Sequence, residues 1–231
     1  KGNAAVWGDL TTARNHAGDM GNSTRCLSHD GIAPGNVTVD YITWATKGNA
    51  VDFGDTSVNK GQCGSGADAT RGYLYGGATG PSELASIDYF TISSTGNASD
   101  FGDLTVNMYS GSTGNVASTT RGFVAGSSPN PGINTINRIT FSSTGSAADY
   151  GDMTNKRYVF SAHSNATHGL FMGGYVHPGY NNAIDYITMA TDGNAKDFGD
   201  LTQNTTQWSG TGDGIYGIFG GGVHTSGETF N

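Results

Sequence analysis

The stretch Gly48-Asn-Ala-Val-Asp-Phe-Gly-Asp55 decides the fold, because the chain repeats it. Close copies are Gly96–Asp103, Gly145–Asp152 and Gly193–Asp200, and a weaker copy, Gly2–Asp9, opens the sequence. The copies begin 46 to 49 residues apart. Self-similarity at a fixed period is typical of repeat architectures, in which single units cannot bury their apolar faces alone and neighbouring units stack. We therefore expect a row of similar units.

Two further landmarks keep the same period. A run of β-branched and aromatic residues precedes each copy, as in Ile87-Asp-Tyr-Phe-Thr91, with counterparts at 39–43, 136–140 and 184–188. Further upstream lies an apolar run that ends in glycine, as in Arg71-Gly-Tyr-Leu-Tyr-Gly-Gly77. Short runs of this composition between Gly, Asn, Ser and Thr residues are typical of β-strands. Each unit is predicted to contain four strands, and no helical period is visible.

Four short strands per unit predict an all-β chain that folds as a β-propeller of four-stranded blades. The expected units span 11–56, 57–104, 105–153 and 154–201, and a fifth combines 202–231 with 1–10, all within one domain, 1–231. In the fifth unit the N-terminal strand is expected to complete the C-terminal blade, whose third strand the sequence lacks. Two explanations stay open: a stretch of a longer repeat protein, or a five-bladed ring with a defective blade.

The order of these elements resembles the kelch motif, in which an apolar run ending in Gly-Gly precedes a variable loop, a Tyr-bearing strand and an aromatic strand. The kelch Trp is replaced by Phe or Tyr except at Trp7. The segment 184–200 is more specifically similar to repeats in structural proteins of tailed phages, marine cyanophages in particular. The resemblance implies a non-enzymatic structural or host-recognition module, in a virion or outside the cell. Its partners would be protein neighbours in a larger assembly or a host-surface glycan.

The composition excludes several classes of protein. The 231 residues include 24 aromatic ones (3 Trp, 11 Tyr and 10 Phe), too many for a disordered tract. The net charge of −8 argues against a nucleic-acid partner, which requires a basic surface. No apolar run approaches the length of a membrane span, so no membrane insertion is expected. Cys26 and Cys63 are too few for a disulfide framework and are expected to be buried thiols.

The recurring aspartates have two interpretations. Paired carboxylates such as Asp52 and Asp55 could bind calcium together with backbone carbonyls, or could accept hydrogen bonds from N–H groups in turns. Recurrence in every unit favours the structural role, because a scaffold must repeat and a single site need not. The same reasoning covers Asp40, Asp88 and Asp185. We therefore predict no metal and no cofactor.

Other recurring residues are also expected to be structural. Arginine recurs before the second strand and is expected to stack between units or pair with a repeating Asp, rather than bind an acidic sugar: Arg25, Arg71 and Arg121. An aromatic residue recurs near a small Ala and is expected to fill the space between stacked units: Phe53, Phe101, Tyr150 and Phe198. Trp7 and Trp44 lie on scaffold strands and are expected in the core.

Function is expected where the units differ, on the first-strand regions and the loops that follow the glycine doublets. These segments carry the candidate ligand-binding residues Tyr109, Tyr158, His163, His177, Trp208 and His224. Tyr109, Tyr158 and Trp208 are expected to be exposed at neighbouring rather than identical positions of the repeat, which favours a single site over a multivalent lectin. A carbohydrate-binding lectin is the alternative function, and an enzyme a remote one, because no catalytic cluster is evident.

Overall fold

The computed structural model describes residues 4–14, 17–29, 31, 37–109, 114–128, 132–206, 209–212, 215–220 and 222–224. Within these ranges the chain forms strands, turns and bends but no helix. The all-β prediction is therefore confirmed. Its physical basis is the alternation of β-branched and aromatic runs with Gly- and Asn-rich turns.

Four antiparallel sheets follow one another along the chain. The first consists of β1 (Asp19–Gly21), β2 (Arg25–His29), β3 (Thr38–Thr43) and β4 (Val51–Asp55). The second consists of β5 (Gly64–Ala67), β6 (Arg71–Tyr75), β8 (Ser82–Thr91) and β9 (Ser99–Met108), with the short β7 (Ala78–Thr79) also paired to β8. The third consists of β10 (Gly114–Ala117), β11 (Arg121–Ser127), β12 (Ile133–Thr140) and β13 (Ala148–Asp152).

The fourth sheet consists of β14 (Ser161–Ser164), β15 (His168–Met172), β18 (Ala183–Thr188) and β19 (Lys196–Asp200). A hairpin of β16 (Tyr175–Val176) and β17 (Gly179–Tyr180) lies in the loop between β15 and β18. After the fourth sheet, β20 (Thr205–Thr206) pairs with β23 (Val223–His224), and β21 (Ser209–Gly212) pairs with β22 (Gly217–Gly220). The predicted order of four strands per unit is thus present in four units.

The first strands of consecutive units lie side by side. β1 packs next to β5, β5 next to β10, β10 next to β14 and β14 next to β21. The turns between the first and second strands of four units converge on one depression of about 690 Å³, lined by residues at 21–23, 67–69, 117–119 and 164–166. The first strands therefore form the row at which consecutive sheets meet, and the fourth strand is at the opposite edge of each sheet.

The segments that begin at Gly96, Gly145 and Gly193 bind to the outer strand of the preceding unit. Gly96 N donates to Phe53 O at 2.7 Å, and Ala98 N donates to Asp55 O at 2.8 Å. Asp55 N in turn donates to Asn97 Oδ1 at 3.1 Å. A Cβ on Gly54 would lie 2.4 Å from Gly96 O, so only glycine permits this approach. The stretch that decides the fold thus acts by joining consecutive units.

The aromatic residue of each outer strand packs into the next sheet where that sheet is complete. Phe53, Phe101 and Tyr150 are only 2 to 4% exposed, as predicted. Phe53 meets Phe90 edge-on, with ring centroids 5.9 Å apart. The prediction is wrong for Phe198, which is 65% exposed. Its burial depends on a third strand in the following unit, which the described residues do not provide.

A buried polar residue on the third strand of each unit binds the segment that leads from the preceding outer strand into that unit. We call this segment the crossover. Asp185 is fully buried and binds Arg157 at 2.9 Å. It also accepts hydrogen bonds from the N–H and the hydroxyl of Thr154, at 3.0 and 2.7 Å. Equivalent contacts join Asp88 to Lys60 and Ser57, and Asp40 to Arg14 and Thr11. The recurring aspartates therefore have structural partners.

The third unit replaces this ion pair with a neutral pair. Asn137 stands where the other units have Asp, and it is also buried. Its Nδ2 lies 3.5 Å from the sulfur of Met108, which stands at the position of the cation. Thr105 donates to Asn137 Oδ1 through both its N–H and its hydroxyl, at 2.7 Å each. The charge on both partners changes together, which indicates that they function as a pair.

The recurring arginines bridge neighbouring sheets, as one of the two structural interpretations predicts. The Arg71 guanidinium lies over the Tyr89 ring, 4.7 Å from its centroid. Arg71 Nη1 also donates to Phe141 O of the next unit at 3.3 Å. Arg25 and Arg121 donate in the same way to Ile92 O and Met189 O. These guanidinium groups are therefore engaged in the scaffold.

The expected core positions of two tryptophans in the N-terminal half are wrong. Trp7 and Trp44 are 40 and 48% exposed, not part of the core. Trp44 lies in the turn after β3, where its Nε1 donates to Asn22 O at 2.9 Å. No strand is assigned over residues 4–10, and no described third strand pairs with them, so the N-terminal strand stays a prediction. Trp7 O and Asp9 O nevertheless accept from Gly48 N and Ala50 N.

Replacing Arg157 by methionine should leave the buried Asp185 carboxylate without its cation. We expect Arg157→Met to lower the free energy of unfolding by about 3–5 kcal/mol. Adding Asp185→Asn reproduces the Met108–Asn137 pair and should restore most of that loss. Urea unfolding of the two single variants and the double variant, read as a double-mutant cycle, measures both effects. A double variant no more stable than Arg157→Met would contradict the pairing.

Candidate functional site

One loop of the fourth unit carries aromatic side chains that its counterparts in the second and third units lack. Tyr175, His177 and Tyr180 lie on the β16–β17 hairpin, and Tyr158 lies on the adjacent crossover. The corresponding loops of the second and third units, 78–86 and 127–135, contain no aromatic residue. These four side chains, the aromatic loop cluster, are thus a single feature on a repeated scaffold. A binding site, unlike a scaffold contact, has no need to repeat.

Tyr175 is the centre of the aromatic loop cluster. Its ring centroid lies 5.2 Å from that of Tyr158, 5.8 Å from that of Tyr180 and 6.3 Å from that of His177. The three tyrosines are partly buried and His177 is exposed. Rings at these distances pack against one another and leave part of their faces open to solvent. The cluster therefore presents an aromatic surface at a loop edge.

The backbone fixes the positions of these rings. Tyr158 and Tyr175 exchange two backbone hydrogen bonds, N to O, of 3.2 and 2.7 Å. Tyr175 and Tyr180 face each other across the β16–β17 ladder. Asn181 N donates to Gly174 O at 2.9 Å and closes the base of the hairpin. The surface is therefore preorganised, which limits the entropy lost when a ligand binds.

The structure corrects the predicted relation between Tyr109 and Tyr158. The two occupy the same position, because Tyr109 bridges to Ser128 as Tyr158 bridges to Tyr175. Both are half-buried rather than exposed. Tyr109 N donates to Ser127 Oγ at 2.8 Å, so its described backbone partners are serines. Tyr158, unlike Tyr109, contacts an aromatic residue of the loop hairpin, Tyr175. The two equivalent positions therefore have different chemical surroundings.

The remaining candidates do not join this cluster within the described residues. His163 is on β14 and lines a different cavity, between the fourth sheet and β22. His224 is on β23, whose backbone pairs with β20, and only its backbone is described. Trp208 lies outside the described residues. Of the six predicted residues, the structure brings together Tyr158 and His177, through Tyr175.

The cluster carries no carboxylate, ammonium or guanidinium group. The neighbouring Arg157 is buried on Asp185, and burial lowers the pKa of its guanidinium while Asp185 opposes that shift. Burial, and next the proximity of Tyr175, raise the pKa of Tyr158, so its hydroxyl is neutral and can donate a hydrogen bond. The surface is therefore suited to a neutral ligand with an apolar face and hydroxyl groups.

The first aspartate of each outer-strand pair accepts a hydrogen bond within its own strand, at a β-bulge. Asp100 Oδ1 accepts from Gly102 N at 3.0 Å, and Asp52, Asp149 and Asp197 make the same contact two residues ahead. Within the described ranges, no three His, Cys, Asp or Glu side chains come together so as to hold a metal ion. These contacts support a structural role for the first carboxylate of each pair, although the donors are N–H groups of β-bulges rather than of turns.

No protein-family model matches this chain, and no curated protein is significantly similar to it in sequence. Among the described residues there is no helix with the length and apolar character needed to cross a bilayer.

The two thiols differ in their surroundings. Cys63 is buried, and desolvation by this burial raises its pKa to about 12. Lys60 lowers this pKa and Asp88 raises it, and both effects are smaller than that of burial. Cys26 is half-buried, and its pKa is raised by burial and by Asp19. The thiolate is the nucleophile, so a raised pKa makes a cysteine unreactive. Neither thiol has the environment of a catalytic cysteine.

Thiol labelling should reflect this difference. With a disulfide reagent at pH 8, we expect Cys63 of the folded protein to stay unlabelled and Cys26 to react slowly, because the Cys63 thiol is buried and protonated. Two thiols should react after unfolding in guanidinium. Mass spectrometry of the labelled protein measures the stoichiometry, and Cys26→Ser should remove the labelling of the folded state. Rapid labelling of Cys63 in the folded protein would contradict its burial.

Proposed function

We propose that the chain is a kelch-like β-propeller in which the sheets are blades around a common axis. Three observations support this arrangement: the side-by-side first strands, the depression where the turns of four units converge, and the position of the fourth strands at the opposite edge of each sheet. Residues 4–9 would supply the fourth strand of the last blade. In support, Trp7 O and Asp9 O bind Gly48 and Ala50 as each outer strand binds the next unit.

We further propose that the protein is a non-enzymatic recognition module, and that the aromatic loop cluster binds a neutral glycan. The observation that carries this proposal is the position of Tyr158, Tyr175, His177 and Tyr180 in one fixed loop edge of a scaffold that otherwise repeats. Aromatic faces pack on the apolar C–H face of a sugar ring, and phenol and imidazole groups can exchange hydrogen bonds with its hydroxyls. A cluster of three tyrosines and one histidine, with no ammonium or guanidinium group to pair with a carboxylate, favours a neutral sugar over an acidic one.

The recurring charged residues support the same choice. Arg25, Arg71 and Arg121 are engaged by carbonyl groups of the next unit and are therefore poorly placed to bind an acidic sugar. Asp40, Asp88 and Asp185 hold the crossovers. A location in a virion or outside the cell, where host-surface glycans are met, remains part of this proposal and rests on the phage-like repeat alone.

Tyr158 and Tyr109 provide a matched pair of substitutions, because they hold the same backbone position in two units. A glycan array probed with the labelled protein should identify neutral oligosaccharides, and calorimetry should give the affinity for the best one. We expect Tyr158→Ala to weaken that affinity about tenfold or more, the effect of losing one stacked ring. Tyr109→Ala should leave it unchanged. Absence of any neutral glycan ligand, or equal loss in both variants, would refute the proposed site.

A further inference from the structure

Between β19 and β22, the described residues provide no third strand of the kind that fills the interfaces of the second, third and fourth units. In the second, third and fourth units the third strand places two buried apolar side chains against the preceding outer strand. These pairs are Phe90 and Ile92, Ile139 and Phe141, and Ile187 and Met189. In the part of the chain that the structure describes, β22 pairs only with β21.

A cavity of about 490 Å³ occupies the corresponding place. Its walls include Leu170, Tyr186 and Phe198 from the fourth sheet, and Tyr216 and Gly217 beside and on β22. Phe198 is 65% exposed, whereas its counterpart Phe53 is buried against Phe90. The space (the open groove) is thus the position at which the two apolar side chains of a third strand pack in the other units.

Two polar side chains, of which His168 lies in the wall of the open groove, stand where other units contact a third strand. Thr205 stands at the position of Arg157 and Lys60, which bind the third-strand carboxylate. It is fully buried, and its hydroxyl has no hydrogen-bond partner among the described residues. His168 lines the groove at the position of the bridging arginines, which donate to carbonyls at the end of the next third strand. Both groups occupy positions that contact a third strand elsewhere.

We propose that the open groove binds an extended peptide with the pattern of the third strands of the first, second and fourth units, apolar-Asp-Tyr-apolar-Thr-apolar, which adds a strand to β22. The backbone edge of β22 would supply the main-chain hydrogen bonds, and Phe198 would select the apolar side chains. The choice of peptide follows from the other units, where a third strand fills the equivalent space beside the preceding outer strand. The bound peptide would take the place of that strand. The site lies on the sheet edge rather than on the loops and is independent of glycan binding.

The fourth sheet predicts the register of the bound peptide. There Ile187 of β18 lies opposite Gly169, and Asp185 lies opposite Phe171. By the same alignment, a peptide with the sequence of residues 183–191 would place its Ile187 opposite Gly217. Glycine leaves room at that point, so the isoleucine side chain can reach Phe198. The carboxylate of the peptide would then approach the Thr205 hydroxyl.

A fluorescently labelled peptide of sequence 183–191 tests the proposal by anisotropy. We expect saturable binding to the full chain. The matched peptide that carries Ile187→Asp and Met189→Asp should bind at least about tenfold more weakly, because a carboxylate is excluded from an apolar groove. Absence of saturable binding, or equal binding of the two peptides, would overturn the proposal.

Protein variants locate the binding. Phe198→Ser should weaken peptide binding about tenfold, the effect of losing one large apolar contact. Val58→Ser removes another exposed apolar side chain, away from the groove, and should leave binding unchanged. Hydrogen exchange should show new protection at 217–220 when the peptide binds. Equal effects of the two variants, protection confined to other segments, or a homodimer on this face that the peptide cannot dissociate would contradict the assignment.

Discussion

The buried carboxylate of the third strand is the contact on which the arrangement of the units depends. In three units it binds a cation and a hydroxyl residue of the crossover, so it fixes where the chain enters each sheet. A buried carboxylate without these partners is strongly unfavourable, which penalises any other register of the third strand. With the crossover held, the outer strand meets the Gly-Asn-Ala segment of the next unit, and its aromatic residue enters the next sheet.

The strands could be predicted from the sequence because their composition and spacing are local properties that recur. The polar contact was harder to predict: Asp185 and Arg157 are separated along the chain, and the cation position varies as Arg14, Lys60, Met108 and Arg157. Comparison of the units would have revealed it, since Met108 accompanies Asn137. Phe198 and Trp7 were mistaken for core residues because their burial depends on a neighbouring strand rather than on their own.

The candidate site was partly predicted for a similar reason. Tyr158 and His177 could be predicted because they lie where the units diverge in sequence. Tyr175 and Tyr180 were not predicted. The available signal was that the loops of the second and third units contain no aromatic residue. The shared position of Tyr109 and Tyr158 was missed because the third unit has a longer segment between Tyr109 and Arg121 than the fourth has between Tyr158 and His168. Only the backbone bridges reveal the equivalence.

Amide hydrogen exchange of Ser57 and Thr154 tests the central contact most directly. Both residues lie at exposed positions after an outer strand, yet their N–H groups donate to the buried carboxylates of Asp88 and Asp185 at 3.1 and 3.0 Å. The account predicts that these two amides exchange as slowly as those of the central strands β6 and β15, because they are released only when the unit opens. Exchange at the rate of a solvated loop would show that the carboxylates do not hold the crossovers.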